Sequence, residues 1–366
     1  MTNDLKIKLL VSTPTLQCGG SEKFVAMLCN HINTDLFQVC LLVLNNANPF
    51  YEIKNKDVAI INLQQKRVLF SLFKLKKLIK DQQPDIVFST ANHLNVYFAI
   101  FRNSFPAGIK FLARESSIIS INSRRAKMPY LYNQLIKKYY RRFDTIICQS
   151  AYMQHDLIKH YNIPAEKTVI INNAVTEKST NKISIPDNSN SVYTLITIGR
   201  LSPEKGIERL IHAVGLLTEP VQFFIIGDGE QKMNLQKLVA ELQLTDKIFF
   251  KPQTMEPFAG MEDADLFLLG SYYEGFPNAL LEAGALGIPA IAFNVAGGIA
   301  EIISEGENGL LVDDNDIIGF AAAVKKGLSA NFDKNKIIET TNNRFLINAM
   351  ITDIEKLFVQ LAQPIN

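Results

Sequence analysis

Residues 193–229, YTLITIGRLSPEKGIERLIHAVGLLTEPVQFFIIGDG, decide the fold. An apolar run, YTLITIG, ends at a glycine, a charged loop follows, a helix begins at about Ile207, and a second run, VQFFIIG, ends at a glycine turn. Strand, loop, helix, strand is the repeating unit of a parallel α/β domain. Downstream the rhythm continues with a helix from about Gln231 and then KIFF, DLFLLG, IPAIAF and NGLLV. Upstream it runs through IKLLVST, a helix from about Glu22, VCLLVL, VAIINL, DIVFST, IKFLA, DTIICQS and TVIIN. Between the two series lies TEKSTNKISIPDNSNS, residues 176–191, polar, rich in Ser and Asn and without apolar periodicity, which reads as a linker. The expectation is therefore two Rossmann-like doubly wound domains, 1–175 and 192–349, with a closing helix at about 350–366 returning to the first. Such sheets bind ligands at the carboxyl ends of their strands, so two facing sheets place the site in the cleft between them.

A chain of 366 residues with 47% hydrophobic content can build two cores. No apolar run approaches the ~20 residues that span a bilayer, and IKLLVS is too short for a signal peptide, so a cytoplasmic location is expected. Cys18, Cys29, Cys40 and Cys148 show no CxxC spacing and no accompanying histidine cluster, which reads as reduced, mostly buried thiols. The net charge of +2 conceals an asymmetry. Residues 1–175 hold 23 Lys/Arg against 11 Asp/Glu, and residues 176–366 hold 15 against 25. The first half is thus the one suited to meet an anionic surface or substrate, membrane lipid and nucleic acid both qualifying.

Three segments carry candidate chemistry. In GSYYEGFPNALLEAGALGIP, residues 270–289, Glu274 precedes a helix and Glu282 lies inside it, with Asn278 placed to cap. The free N–H groups of that first turn suit a phosphate, and the carboxylates suit hydroxyls. In Gly199-Arg200-Leu201-Ser202-Pro203-Glu204-Lys205-Gly206, Arg200 and Lys205 can neutralise a diphosphate, one as a planar fork and one as a point charge. Gly227-Asp228-Gly229-Glu230 reads as a structural turn. Cys18-Gly19-Gly20-Ser21-Glu22 puts paired glycines just before a helix, where backbone N–H groups can meet phosphate or sugar; it is not GxGxxG. Asp263-Ala264-Asp265 looks like a metal-binding DxD, but Asp265 abuts the strand LFLLG and Asp263 ends a predicted helix, so a turn is the reading and no metal is expected.

These segments resemble the retaining GT-B glycosyltransferases of family 4, over nearly the whole chain. The resemblance rests on the GG turn, ICQS, VIINN, GRLSPEKG, GDGE and above all EGFPNALLE, the family's E-x7-E pattern. It implies that Arg200 and Lys205 hold the donor diphosphate, that Glu282 holds the ribose hydroxyls and that Glu274 contacts the donor sugar. Backbone of Gly199, Gly275, Phe276, Asn278 and Ala279 would meet sugar and pyrophosphate, with Gly19 and Gly20 approaching from the other domain. It further implies transfer on the front face with retention, assisted by Glu274, Arg200 and Lys205 and needing no cofactor. Where many relatives carry a histidine after the strand corresponding to IKFLA, this chain has Ala113-Arg114-Glu115-Ser116-Ser117. Arg114 and Glu115, and also His93, therefore become candidates for acceptor or donor-sugar contacts.

Residues 117–143 hold Arg124, Arg125, Lys127, Lys137, Lys138, Arg141 and Arg142, no acid, and interleaved Met, Leu, Ile, Tyr and Phe residues. This basic, aromatic, amphipathic segment suits the anionic inner leaflet, each cation contributing ~1 kcal/mol. Lys74, Lys76, Lys77 and Lys80 add to the same domain's positive charge. The expected activity is transfer of a hexose or N-acetylhexosamine from a nucleotide sugar, with UDP the expected carrier, to a lipid-linked glycan of lipopolysaccharide, capsule or O-antigen type. The enzyme would sit peripherally on the inner face of the cytoplasmic membrane, with no nucleic-acid partner. A soluble glucan or sugar-phosphate transferase and a catalytically silent GT-B scaffold are the alternatives.

Overall fold

The computed structural model describes residues 6–65, 72–176 and 192–363. Most of the 176–191 linker expectation therefore lies outside the described residues. The chain forms two compact units, one drawn from Met1–Asn173 with Ile347–Asn366 and the other from Ala174–Leu346.

In the first unit the strands are β1 (Ile7–Thr13), β2 (Phe37–Val43), β3 (Ala59–Asn62), β4 (Ile86–Ser89), β5 (Lys110–Arg114), β6 (Thr145–Cys148) and β7 (Thr168–Ile170). They form one sheet in the order β3-β2-β1-β4-β5-β6-β7, every pair parallel. The helices are α1 (Gly20–His31), α2 (Leu72–Gln82), α3 (Asn92–Phe101), α4 (Ile119–Asn122), α5 (Pro129–Tyr139) and α6 (Ala151–Tyr161). In the second unit β8 (Tyr193–Ile198), β9 (Val221–Ile226), β10 (Ile248–Lys251), β11 (Leu266–Leu269), β13 (Ala290–Asn294) and β15 (Gly309–Asp313) form a parallel sheet in the order β10-β9-β8-β11-β13-β15. A separate two-stranded ribbon pairs β12 (Tyr273–Glu274) with β14 (Ala296–Gly297). The helices are α7 (Ile207–Gly215), α8 (Lys232–Glu241), α9 (Asn278–Ala285), α10 (Ile299–Ile302), α11 (Ile317–Ser329) and α12 (Lys334–Phe345). The last helix, α13 (Ile347–Ala362), belongs to the first unit.

The apolar runs become strands because helices cover them: every residue of β4, β6 and β11 is buried. The same device starts each of these strands. Asp85 accepts the Lys8 N–H (2.8 Å), Asp144 the Phe111 N–H (2.8 Å) and Asp265 the Thr194 N–H (2.7 Å), so a carboxylate continues the ladder where the strand's own backbone begins. Asp265 is thus a sheet brace, as a turn reading of DAD requires, but no helix precedes it. Residues 252–264 carry two prolines and a glycine and run as bends, turns and irregular chain.

Helix α13 is fixed by Phe358, whose ring lies 5.9 Å from Phe37 and 5.5 Å from Phe88, and by Glu355, which accepts the Asn33 N–H at 2.7 Å. Burying a phenylalanine of this kind contributes roughly 2–3 kcal/mol. Among the described residues no disulfide forms; Cys29 and Cys148 are buried, while Cys18 and Cys40 are partly exposed.

Candidate active site in the second unit

Two loops at the carboxyl ends of β8 and β11 meet side by side. The first leaves β8 at Gly199 and passes through a single 3-10 turn, Pro203–Lys205. It enters α7 through Gly206, whose φ of 56° is left-handed. The second leaves β11 at Gly270 and runs to Glu274. A Cβ on Gly206 would stand 2.0 Å from the Gly270 carbonyl oxygen, and one on Gly270 would stand 2.4 Å from that of Gly206. Glycine at both positions is therefore what lets the two backbones touch. The Tyr272 N–H donates to the Glu204 carbonyl at 2.9 Å, fastening the loops once more.

The contact joins two of the residues singled out in the sequence. Lys205 Nζ donates to Glu274 Oε1 at 2.6 Å, and Ser271 Oγ donates to the same oxygen at 2.6 Å. Glu274 is 8% exposed. Both bonds fall on Oε1, and Oε2 accepts none from a described residue, so one carboxylate oxygen anchors while the other keeps its lone pairs. An ammonium carries three donors, and two remain on Lys205 beyond the one given to Glu274. Arg200 is exposed on the same loop and forms no ion pair with a described residue.

The GDGE turn lies beneath that loop. Leu201 N–H donates to Asp228 O (2.8 Å) and Gln231 N–H to Leu201 O (2.9 Å). A Cβ at Gly227 would come within 1.9 Å of Gly199 O and one at Gly229 within 2.4 Å of Leu201 O, so the two glycines of the GDG turn are present for close packing. On the other side Glu274 is held by the β12–β14 ribbon, in which Glu274 faces Gly297. The Gly298 N–H bonds Gly275 O at 3.0 Å. Gly297 has φ 127°, and a Cβ there would lie 1.5 Å from the Glu274 carbonyl oxygen.

Helix α9 begins one residue earlier than a capping Asn278 requires. Pro277, with φ −72° and ψ 113°, occupies the cap position, Asn278 is the first helical residue, and no side chain caps the helix. The reason is local: proline fixes φ where the chain must be extended, and the helix starts at the next residue that can turn. The first N–H groups of α9, from Asn278 and Ala279 onward, thus precede any intrahelical partner. Phe276 is buried with its ring 5.6 Å from Phe345, and Gly275 before it is buried as well. Glu282 is half-buried within α9.

In the first unit, Gly19 is the N-cap of α1 and Gly20 its first residue. A Cβ on Gly19 would stand 2.2 Å from Glu22 Oε2, so an acidic side chain folds over the paired glycines, and a hydroxyl suits the position better than an anion does. His93 is exposed in the first turn of α3, on a helix rather than in the expected loop.

Arg114 and Glu115 do not present themselves to a ligand: each is 1% exposed. Arg114 lies over the Phe24 ring at 3.8 Å and donates to Asn173 Oδ1. Glu115 Oε1 accepts from Asn95 Nδ2 (2.7 Å) and Tyr140 OH (2.9 Å), and burial pushes its carboxyl up to about 7. Their site expectation is corrected to an interior polar cluster. It forms because the end of β5 is roofed by α3, α5 and the Gln149–Asn173 pair, in which Asn173 Nδ2 donates to Gln149 Oε1 at 3.2 Å.

The basic segment also divides. Arg124, Arg125 and Lys127 are exposed next to Met128 (63% exposed), Tyr130 (79%) and Leu131 (46%), where α5 starts on the carboxyl-end side of the sheet. Lys137, Lys138 and Arg141 are exposed at its other end, about 16 Å away at 1.5 Å per residue. Arg142 is half-buried and donates to Ile100 O (2.8 Å) and Ala99 O (3.4 Å). It therefore closes the C-terminus of α3 rather than facing outward. Among the described residues no helix is long and apolar enough to cross a membrane.

Ser271, Arg209, Gly297 and Gly298 are site-building residues that the sequence reading missed. Only the glycine pair carried a signal, since it stands before a short helix as Gly19–Gly20 does.

Comparison with known proteins fits this architecture. The family model "Glycosyltransferase Family 4" matches residues 18–178, and "Glycosyl transferases group 1" matches residues 177–344. Over 361 residues the chain is 26% identical to the Campylobacter jejuni N-acetylgalactosamine-N,N'-diacetylbacillosaminyl-diphospho-undecaprenol 4-alpha-N-acetylgalactosaminyltransferase, covering 96% of this chain and 97% of that protein. It is 24% identical to the Rhizobium meliloti lipopolysaccharide core biosynthesis glycosyltransferase LpsE, covering 88% and 89%. Among solved structures, Anabaena HepE in complex with UDP-glucose matches with a TM-score of 0.78 at 19% identity, over 97% of this chain and 100% of that one. The two family models together reach from residue 18 to residue 344, and the chain belongs to the group 1, family 4 glycosyltransferases of GT-B fold.

Proposed function

We propose that this glycosyltransferase moves a hexose or N-acetylhexosamine, with retention of configuration, from a UDP-sugar to a lipid-linked glycan. The observation that carries the donor assignment is the Lys205–Glu274 contact beside the N-terminus of α9. A nucleoside diphosphate becomes more negative as the glycosidic bond breaks, and preorganised cations and N–H groups aimed at that charge lower the barrier. Lys205, oriented by Glu274, and Arg200 supply the cations, and the first N–H groups of α9 supply dipoles. Glu274 Oε2 accepts a donor-sugar hydroxyl, and Glu282 accepts the ribose hydroxyls. Glu274 is committed through Oε1 to Lys205 and Ser271, which favours positioning and electrostatic support over covalent attack. With charge neutralised by side chains, the proposed reaction uses no metal.

The lipid-linked acceptor is supported by the names of the Campylobacter undecaprenol-diphosphate and Rhizobium lipopolysaccharide core relatives and by the surface around α5. Exposed Met128, Tyr130 and Leu131 beside Arg124, Arg125 and Lys127 pair an apolar wedge with cations, the chemistry of reversible attachment to an anionic leaflet. Peripheral location on the inner face of the cytoplasmic membrane follows from that reading.

The test is a screen of nucleotide sugars for transfer, hydrolysis and thermal stabilisation, run with Lys205→Ala in parallel. A donor present at 100 times its Kd raises stability by about 2.7 kcal/mol. Lys205→Ala is expected to keep the far-UV circular dichroism and lose transfer by about 100- to 1,000-fold. Unchanged turnover would remove the donor-site assignment. The anomeric proton coupling of the product tests retention, and co-sedimentation with anionic against neutral vesicles tests the docking surface.

A further inference from the structure

Arg209 carries no reacting group of the proposed transfer, yet it is 4% exposed and every face of its guanidinium is used. Nε donates to Gly270 O at 2.9 Å, and Nη2 donates to Gly270 O at 2.5 Å and to Ser271 O at 2.6 Å. Nη1 donates to Asp314 Oδ1 at 2.6 Å and to Asn315 Oδ1 at 3.4 Å. The flat faces lie between the rings of Tyr272, 3.9 Å away, and Phe293, 4.0 Å away. Tyr272 is itself tied down by its hydroxyl, which donates to Glu208 Oε1 at 2.8 Å.

The two carbonyls held by this fork are those of the residues that launch the Glu274 loop, and Arg209 stands four residues after Lys205. The contacts close a ring. Arg209 fixes the Ser271 backbone, Ser271 Oγ fixes Glu274 Oε1, and Glu274 meets Lys205 Nζ, whose own loop leads through Gly206 back to Arg209. A lysine in place of Arg209 offers a point charge where the fork meets two successive carbonyls and an acid in one plane.

We propose that Arg209 is a positioning residue for the transfer reaction: by gripping the carbonyls of Gly270 and Ser271 it sets the distance and direction between Lys205 and Glu274. The inference rests on the donor reading above. Rate depends steeply on such placement, since a displacement of about 1 Å in a catalytic group can cost about 100-fold. A residue that merely cements α7 to the ends of β11 and β15 would alter stability and leave turnover per folded molecule unchanged.

A double-mutant cycle on turnover separates the two roles. Arg209→Met keeps the stem and removes the fork. It is expected to lower kcat by about 30-fold with KM for the acceptor within about 2-fold, and Arg209→Lys to recover part of the loss. In a Lys205→Ala background the same Arg209→Met change is expected to cost less than about 3-fold, because the geometry it protects is already lost. Equal losses in both backgrounds, or turnover per folded molecule within about 2-fold of the unaltered protein, overturn the inference and leave the donor reading standing. If Arg209→Met does not fold, the cycle is run with Arg209→Lys, and the same non-additivity decides. A protein that transfers and hydrolyses no nucleotide sugar before any substitution overturns the donor reading itself, and the positioning role with it.

Discussion

Each unit sets a cation and a carboxylate at the carboxyl end of a parallel sheet, and the two pairs have opposite fates. In the second unit Lys205 and Glu274 meet through their terminal atoms at the edge of a loop, and Lys205 keeps 28% of its side chain exposed. In the first unit Arg114 and Glu115 follow one another in the chain and are sealed inside, with Arg114 Nε and Nη1 and Glu115 Oε2 making no hydrogen bond to a described residue. The difference comes from what surrounds the strand end. Glycines 206 and 270 bring two bare backbones together and leave Lys205 partly exposed, whereas Asn95 of α3 and Tyr140, just past the end of α5, roof the end of β5. Residue type at a strand end is therefore not enough to make a ligand site; the covering elements decide whether the charge reaches a ligand or organises the interior.

The largest effect that separates the pairs is on turnover. Glu274→Gln keeps the shape and an acceptor for Ser271 but removes the charge that orients Lys205, and is expected to lower kcat by about 100-fold or more with melting shifted by only a few degrees. Glu115→Gln should leave turnover within about 3-fold, since Glu115 touches no proposed substrate atom. Comparable losses from both would erase the division between a working pair and an enclosed one. Steady-state rates on matched, folded samples decide it.

Next in size is Gly297→Ala. The added Cβ would sit 1.5 Å from the Glu274 carbonyl oxygen at a φ of 127°, so the β12–β14 ribbon has to open. A loss of roughly 2–4 kcal/mol in the second unit and about 10-fold or more in kcat is expected, from the strain and from the displaced carboxylate. Wild-type melting and rates in this variant would mean that the ribbon does not hold Glu274.

The sheets were readable because buried parallel strands are written as continuous apolar runs: the seven runs of the first half and the six of the second are the seven- and six-stranded sheets. Lys205 and Glu274 were readable because both sit in glycine-punctuated loops immediately after such runs. Arg114 and Glu115 misled for a physical reason. Their partners Asn173, Asn95 and Tyr140 come from 59, 20 and 25 residues away, and no local pattern records that a charge will be roofed over. Arg209 was hidden differently, as one cation on an amphipathic helix whose fork is spent on carbonyls 61 and 62 positions downstream.

A smaller effect is on the pH dependence of stability. Burial raises the Glu115 carboxyl to about 7, against the hydrogen bonds from Asn95 and Tyr140 and the nearby Arg114 charge, which lower it, and with a small further push upward from Asp156. In the unfolded chain the same group loses its proton near its ordinary value of 4.5. Its contribution to stability is therefore complete below pH ~4.5 and is lost as pH rises through about 7, a swing on the order of a few kcal/mol. Glu115→Gln removes that titration, so the fall in melting temperature between pH 5 and pH 8 is expected to be smaller in the variant than in the parent. Equal slopes would show that Glu115 is not enclosed.

Tyr140→Phe is the finest probe of the same enclosure. The phenol is fully buried and its hydroxyl donates to Glu115 Oε1 at 2.9 Å, a bond that favours the ionised carboxylate. Removing it takes about 1.5–3 kcal/mol from the ionised form and less from the protonated one, which can donate its own proton elsewhere. The carboxyl then titrates higher, and the upper end of the pH range over which stability falls rises while its lower end stays at ~4.5. The variant should lose more stability than Glu115→Gln does at pH 8 and less at pH 5 than at pH 8, since at pH 5 Glu115 is already protonated in the folded protein. A uniform loss at both pH values would assign Tyr140 to packing alone, with its ring 5.5 Å from Phe143, and detach it from the charge of Glu115.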